Sequence, residues 1–172
     1  AWGNHAIPGE KGLVITEMVK EMDSGRIKAM YITGENPLLS EPDLSHAERS
    51  FKSLEFLVVQ DIFMHETAEI ADVVLPATSF AEKDGTFTNS ERRVQRVRQA
   101  VKPVGDSRPD WEIICDVARR VAIRRGQDLS DQFSYSHPSQ IWDEMASLTP
   151  IFAGISYDRL DDEGGIQWPC PT

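Results

Sequence analysis

The 172-residue chain carries 28 acidic and 18 basic residues, a net charge of −10, and is 40% hydrophobic. That balance excludes a broad nucleic-acid surface, because phosphate binding needs clustered positive charge. No apolar run approaches the roughly 18 to 20 residues of a membrane-spanning helix. The length suffices for a real core, and residues 1–172 read as a single α/β domain without repeat, low-complexity segment or convincing boundary. A start at Ala1-Trp2, with no Met and no basic-then-apolar leader, reads as a piece of a longer chain. The expected compartment is the cytoplasm, with the periplasm left open because any signal would lie outside the piece.

In chain order, residues 1–10 are irregular, with a turn at Pro8-Gly9. The spacing of Val14, Met18 and Met22 predicts an amphipathic helix over Gly12–Met22, ended by Ser24-Gly25. Ile27–Thr33 is a buried strand, broken by Gly34-Glu35-Asn36-Pro37. Asp43 caps a helix over Leu44–Leu54 that turns Ala47 and Phe51 inward. Phe56–Gln60 is a second buried strand, Thr67–Ile70 a single helical turn, and Asp72–Leu75 a third strand. Strand and helix alternate, which predicts a doubly wound, mainly parallel sheet with flanking helices. Thr86–Thr88 and Arg93–Arg98 are weaker strands. Asp110 caps a helix from Trp111 to about Arg125, with Ile114, Val117, Ala118 and Val121 as its apolar stripe. Gly126–Pro138 is loop, Ser139–Leu148 a helix, and Asp158–Gly165 an acidic loop.

Two motifs fall outside the carboxyl ends of the expected parallel strands, where such sheets bind ligands. Gly34-Glu35-Asn36 follows the first strand: a glycine admits close approach of a phosphate or ribose, and Asn36 offers a donor and an acceptor. Gln60-Asp61 ends the second strand, where a carboxylate accepts from ribose hydroxyls or from the N1–H and N2 amino group of guanine. The plain alternatives are a turn at Gly34 and a helix cap at Asp61. Glu91–Lys102 holds Arg92, Arg93, Arg96, Arg98 and Lys102, either a solvated strand face or a cradle for a small anion.

Other chemistries find little support. Cys115 and Cys170 lie far apart, outside any CxxC or Cys/His cluster, so cysteine alone builds no zinc or iron–sulfur site. Cys115, among Ile113, Ile114 and Val117, reads as a buried thiol. His65-Glu66-Thr67-Ala68-Glu69 is HExxE, not the HExxH of zinc peptidases, and no metal ligand is assigned. His5, His46 and His137 are isolated and suit surface or capping positions. There is no GxGxxG after the first strand and no GxxxxGK[ST].

Four separated motifs carry a resemblance over nearly the whole chain: YITGENPLLSEPD (Tyr31–Asp43), VVQDIFMHETAEIADVVLP (Val58–Pro76), GTFTNSERRVQR (Gly85–Arg96) and IQWPCP (Ile166–Pro171). In this order they resemble the large catalytic subunit of molybdenum or tungsten bis-pterin oxidoreductases, most closely the formate dehydrogenase branch. The resemblance implies a parent that oxidises formate to carbon dioxide and passes two electrons through the metal to an iron–sulfur cluster. It implies a molybdopterin guanine dinucleotide with Mo or W, and a 4Fe-4S cluster whose ligands lie outside this piece. The implied partners are that cofactor, the rest of the parent subunit and electron-transfer subunits.

The resemblance places Gly34, Glu35, Asn36, Gln60 and Asp61 at the guanosine-phosphate end of the cofactor, with His65 beside it, where close relatives carry a small polar residue. It adds Gly85, whose turn permits positive φ or close approach, with Thr86, Asn89, Glu91 and Arg92 as contacts for a pterin or diphosphate. A related domain of the large cluster-carrying subunit of NADH dehydrogenase, or a non-catalytic nucleotide-binding module, are the competing readings. The metal-ligating residue and the cluster cysteines of such enzymes have no counterpart here, so no residue of the chain is assigned as catalytic. The isolated chain is therefore expected to show no formate oxidation with the pterin cofactor supplied; measurable turnover by the pure chain would refute this.

Overall fold

The computed structural model describes residues 9–127 and 132–172. These fall into two compact units whose boundary in sequence lies between Ala77 and Thr78. That boundary directly follows a strand and has no linker composition, so no break in the sequence announces it. Each unit has its own core.

In the first unit the order is α1 (Ile15–Asp23), β1 (Ala29–Thr33), α2 (Pro37–Ser40), α3 (Leu44–Lys52), β2 (Phe56–Asp61), α4 (Glu66–Glu69) and β3 (Val73–Pro76). The three strands form one parallel sheet in the order β1-β2-β3, as the three apolar runs predict. In register, Thr33 stands beside Gln60 and Gln60 beside Leu75. Side chains alternate across the strands, so Ile32, Leu57 and Val59 enter one core with Val19 and Met22 of α1, Ala47 and Phe51 of α3, and Ala68 of α4. The opposite face presents Tyr31, Phe56 and Val73, all exposed. Asp43 caps α3 as expected, accepting from the His46 N–H at 3.0 Å. The Asp23 carboxylate joins α1 to α3 through the Ser50 hydroxyl and His46 Nε2, each at 2.5 Å. Those bonds hold the Asp23 carboxyl below its usual range, the Ser50 hydroxyl being the larger cause. The Gly34-to-Pro37 cluster does not simply break the chain: Pro37, whose fixed φ suits a first helical position, starts the one-turn helix α2.

The second unit contains a 3₁₀ turn (Phe80–Glu82), β4 (Gly85–Thr88), β5 (Arg93–Val97), α5 (Asp110–Arg124), α6 (Pro138–Leu148), a second 3₁₀ turn (Pro150–Phe152), α7 (Tyr157–Glu163) and β6 (Ile166–Gln167). Strands β4, β5 and β6 form an antiparallel sheet in that order. Val94, Trp142, Ala146, Ile155, Tyr157, Leu160 and Ile166 make its core. Trp142 buries its indole there and donates Nε1–H to the Ile155 carbonyl at 2.7 Å.

Four expectations need correction. On α5 the buried residues are Ile113, Cys115 and Ala122, whereas Ile114 and Val121 of the expected apolar stripe are exposed. Asp158–Gly165 is mostly the helix α7, not an acidic loop: Ser156 caps it through the Arg159 N–H, Leu160 anchors it in the core, and Gly164 at φ +75° ends it. One buried leucine among acidic residues leaves no visible periodicity. Asp110 does not cap α5 but lies inside it, after Pro109, with its carboxylate paired to Lys83. Helix α6 starts at Pro138 and is capped by His137, whose Nδ1 accepts from the Ser139 N–H at 3.2 Å. The turn at Pro8 and the loop segment 128–131 lie outside the described residues.

Glu82 is a buried carboxylate that ties a 3₁₀ turn to a distant loop. It accepts from the Ser79 N–H at 2.8 Å and the Val104 N–H at 2.9 Å. The backbone N–H of Ser79 is the main reason its carboxyl titrates below the ordinary value of 4.5. A depressed carboxyl pKa adds stability that is present above the unfolded value and is lost as pH falls through the folded one. Glu82→Gln leaves one of the two N–H groups with a neutral amide oxygen and sets an NH2 donor against the other. It is expected to lower Tm at pH 7, with wild type and variant converging as pH drops below about 4.5; a gap that stays constant through that range would count against the carboxylate.

Candidate functional site

The parallel register brings the ends of β1 and β2 side by side, and Gly34 marks the point. Its N–H donates to the Gln60 carbonyl at 3.0 Å while its φ is +67°, a conformation that favours glycine. Next to it, Asn36 spends both ends of its amide inside the protein. Nδ2 donates to Glu66 at 2.7 Å, and Oδ1 accepts from the Thr67 hydroxyl at 2.7 Å. Thr67, fully buried, accepts in turn from the Leu38 N–H at 3.1 Å. This staple joins the starts of α2 and α4, and the Asn36 amide holds the Glu66 carboxyl below its usual range.

Gln60 is fully buried and bonded through its side-chain oxygen to the Tyr31 hydroxyl. Asp61 follows it. Oδ1 accepts from the Ile62 and Phe63 N–H groups at 2.7 and 3.2 Å, closing the turn that leaves β2. Oδ2 faces His65 Nε2 at 3.4 Å. Asp61 is thus no helix cap; the cap of α4 is His65, whose Nδ1 accepts from the Ala68 N–H at 3.3 Å. Because Nδ1 accepts, the neutral ring carries its proton on Nε2. That nitrogen is buried and makes no hydrogen bond, its approach to Asp61 Oδ2 being close but unformed. Both side chains are only about an eighth exposed. The loop between them shows Ile62, Phe63 and Met64 to solvent. Glu35 is exposed beside this mouth. Three carboxylates, Glu35, Asp61 and Glu66, make it a place for hydrogen-bond donors rather than phosphate oxygens.

The second group of expected residues lies in the β4–β5 hairpin. Gly85 does not take positive φ. Open space surrounds the position a Cβ would fill, and its carbonyl accepts from Arg96 at 3.2 Å. The left-handed residue is Arg92, at φ +63°. The hairpin turns over Ser90, Glu91 and Arg92: the Arg92 N–H reaches the Asn89 carbonyl at 2.9 Å, and the Asn89 N–H reaches the Arg93 carbonyl at 3.1 Å. Such loops ordinarily place glycine where Arg92 stands. Asn89 Oδ1 supports the turn by accepting from Glu91 and Arg93 N–H at 3.0 and 2.9 Å. Thr86 pairs with Arg96 across the sheet.

The basic run is partly engaged from within. Arg96 and Arg98 both reach Asp161, Arg96 also stacks over Tyr157 at 3.8 Å, and Arg93 donates to the Gly165 carbonyl. Arg92 stands over the Trp168 ring at 5.4 Å and, among the described residues, pairs with no carboxylate. The motif IQWPCP contains Trp168, but nothing in the sequence marks it as the partner of Arg92. A second feature without a sequence signal is a cavity of about 430 Å³, lined by Lys83, Gly85, Thr86, Asp110, Trp142 and Tyr157 among others. Cys115 is buried as expected, and burial pushes its thiol pKa up.

A parallel α/β unit with a polar cluster at the carboxyl ends of its strands has the topology in which such sheets carry ligands. The molybdopterin oxidoreductase family model matches residues 3–120. The chain belongs to the molybdopterin oxidoreductase family. It is 52% identical over 160 residues to the F420-dependent formate dehydrogenase subunit alpha of Methanocaldococcus jannaschii, covering 92% of this chain and 22% of that protein. It is 46% identical to the F420-dependent formate dehydrogenase 2 subunit alpha of Methanococcus maripaludis, covering 99% of this chain and 24% of that protein. The fold is similar to that of acetylene hydratase from Pelobacter acetylenicus, with a TM-score of 0.68 at 22% identity over 89% of this chain and 20% of that one. The chain therefore spans about a quarter or less of the relatives it matches. Among the described residues no helix is long and apolar enough to cross a membrane.

Arg92 provides a test of where the hairpin's energy goes. Relief of its left-handed backbone by glycine is worth about 1 kcal/mol, and the lost stacking on Trp168 about 0.5–1 kcal/mol. Arg92→Gly is expected to leave Tm nearly unchanged, whereas Asn89→Ala, which removes the acceptor of two backbone N–H groups, lowers it. A large drop in Tm for Arg92→Gly would show that the arginine, not the turn, supports the fold.

Proposed function

We propose that the chain is a segment of the catalytic subunit of a molybdopterin-dependent formate dehydrogenase, and that it supplies part of the wall that holds a molybdopterin guanine dinucleotide. The observation that carries this reading is the identity to formate dehydrogenase alpha subunits over more than nine-tenths of the chain. The match over residues 3–120 crosses the boundary at Ala77, which supports treating both units as parts of one domain of a longer subunit. The parent would carry Mo or W on the pterin and a 4Fe-4S cluster held by residues elsewhere, and would pass electrons to partner subunits. When bound, that cofactor supplies the two-electron chemistry of formate oxidation.

The residues fit such a group. In the first unit, Gly34 leaves the strand end open, and Asp61 keeps Oδ2 as acceptor capacity while Oδ1 is already occupied by two backbone N–H groups. One guanine or ribose donor suits Oδ2. The buried Nε2–H of His65 faces that same oxygen at 3.4 Å. Gln60 and Asn36 act on the ligand through the loops they hold, and Glu35 borders the mouth. In the second unit, Gly85 and Thr86 line a cavity, and Arg92 presents a guanidinium for a pterin or diphosphate oxygen from a turn built by Asn89.

The test uses Asp61 in the full-length subunit. Asp61→Asn retains an oxygen for the Ile62 and Phe63 N–H groups but replaces the open acceptor by a donor. A charge-assisted bond is worth about 1.5–3 kcal/mol, roughly ten- to a hundredfold in affinity. Faster cofactor release and lower pterin and metal content are expected at nearly unchanged Tm. Full pterin and metal occupancy with a lowered Tm would mean that Asp61 serves the loop alone.

A further inference from the structure

Helix α5 carries its longest apolar stripe on the outside. Ile113, Cys115 and Ala122 are buried, but Ile114 and Val121 are 43% and 49% exposed, and Val117 and Ala118 between them are only partly covered. Residues at i, i+3 and i+7 share one face of a helix, so Ile114, Val117 and Val121 form one seam. Contiguous apolar surface left in solvent marks a contact site.

The charges around the seam say what kind of contact. The chain has a net charge of −10, yet residues 117–127 hold four arginines and no carboxylate. By helical spacing, Arg120 and Arg124 follow one border of the seam, three residues beyond Val117 and Val121, and Arg125 stands on the other border, four beyond Val121. All three are exposed. Asp116 answers Arg120 at 3.0 Å; among the described residues no carboxylate answers Arg124 or Arg125. The helix macrodipole favours cations in a last turn, which accounts for those two arginines but not for the bare seam between them.

The core of a single chain excludes unpaired charges, whereas contacts between proteins have polar rims and are enriched in arginine. An apolar seam bordered by arginines is matched by an apolar stripe bordered by carboxylates on a second helix. A lipid surface fits less well. Interfacial helices bury a broad face with aromatic and leucine side chains, while this seam is a single file of β-branched residues with Glu112 and Asp116 on the same helix.

We propose that the outer face of α5 docks an acidic amphipathic helix of a separate partner protein. This goes beyond the cofactor reading above and does not depend on it.

Site-directed cross-linking on the full-length subunit tests it. A photo-reactive residue replaces Val121 in one sample and Ile114 in another, and the subunit is irradiated in the cells that make it. Both positions are expected to reach one segment of another polypeptide, with apolar residues at i, i+3 or i+4 spacing and Asp or Glu beside them. Arg120→Glu with Arg124→Glu is expected to lower the cross-link yield by about tenfold or more. Lysines in place of the partner's acidic residues are expected to restore it, which they could not do for a subunit that had merely failed to fold. A cross-link to another part of the same subunit, to a second copy of it or to lipid, or no cross-link at all, would overturn the proposal. So would a yield indifferent to the charge reversal, or a loss that the partner's lysines fail to restore.

Discussion

Parallel pairing of β1 with β2 is the constraint from which the first unit's chemistry follows. Because the strands run the same way, their carboxyl ends finish at one edge, and the residues just beyond them are forced into company. The Gly34 N–H reaching the Gln60 carbonyl marks this point. Without that register, Asn36 and Thr67, thirty-one residues apart, would not meet. An antiparallel arrangement would send Gly34 and Asp61 to opposite edges of the sheet. The polar cluster is therefore a property of sheet topology before it is a property of any side chain.

Most of the polar groups gathered there are satisfied by one another. Asn36 is consumed by Glu66 and Thr67, Gln60 is bonded to Tyr31, and one oxygen of Asp61 is held by its own turn. Buried polar groups are costly unless paired, so this economy keeps the loops in one shape without a ligand. Among the described residues, Oδ2 of Asp61 and the buried Nε2–H of His65 face each other at 3.4 Å without forming a hydrogen bond. A histidine in this position does two things at once, since the nitrogen that caps α4 determines that the other carries the proton.

The second unit treats its positive charge in the same way. Five cations between Arg92 and Lys102 suggest an anion cradle when written as a string. Folding places Asp161 of α7 against two of them and the Gly165 carbonyl against a third. The arginine left facing outward sits in the one turn position where backbone strain is expected of anything but glycine. Strain held at a residue by a well-bonded turn is a common mark of a functional position.

The sequence by itself determined the three parallel strands, the Asp43 cap, the buried thiol of Cys115 and the placement of Gly34 and Asp61 at strand ends. Each of these depends on local patterning or on the few residues around it. Helix α7, the left-handed Arg92, the His65 cap and the Asp161 ion pairs were decided only by the tertiary structure. α7 depends on a cap and a single core leucine, and Arg92 on a turn closed by Asn89 and by the Trp168 N–H, which bonds its carbonyl from the far end of the chain. Whether a polar side chain is available to a ligand is likewise no property of the residue. It depends on which partners folding brings within hydrogen-bond reach, and Asn36 and Asp61, alike in the sequence, differ for that reason.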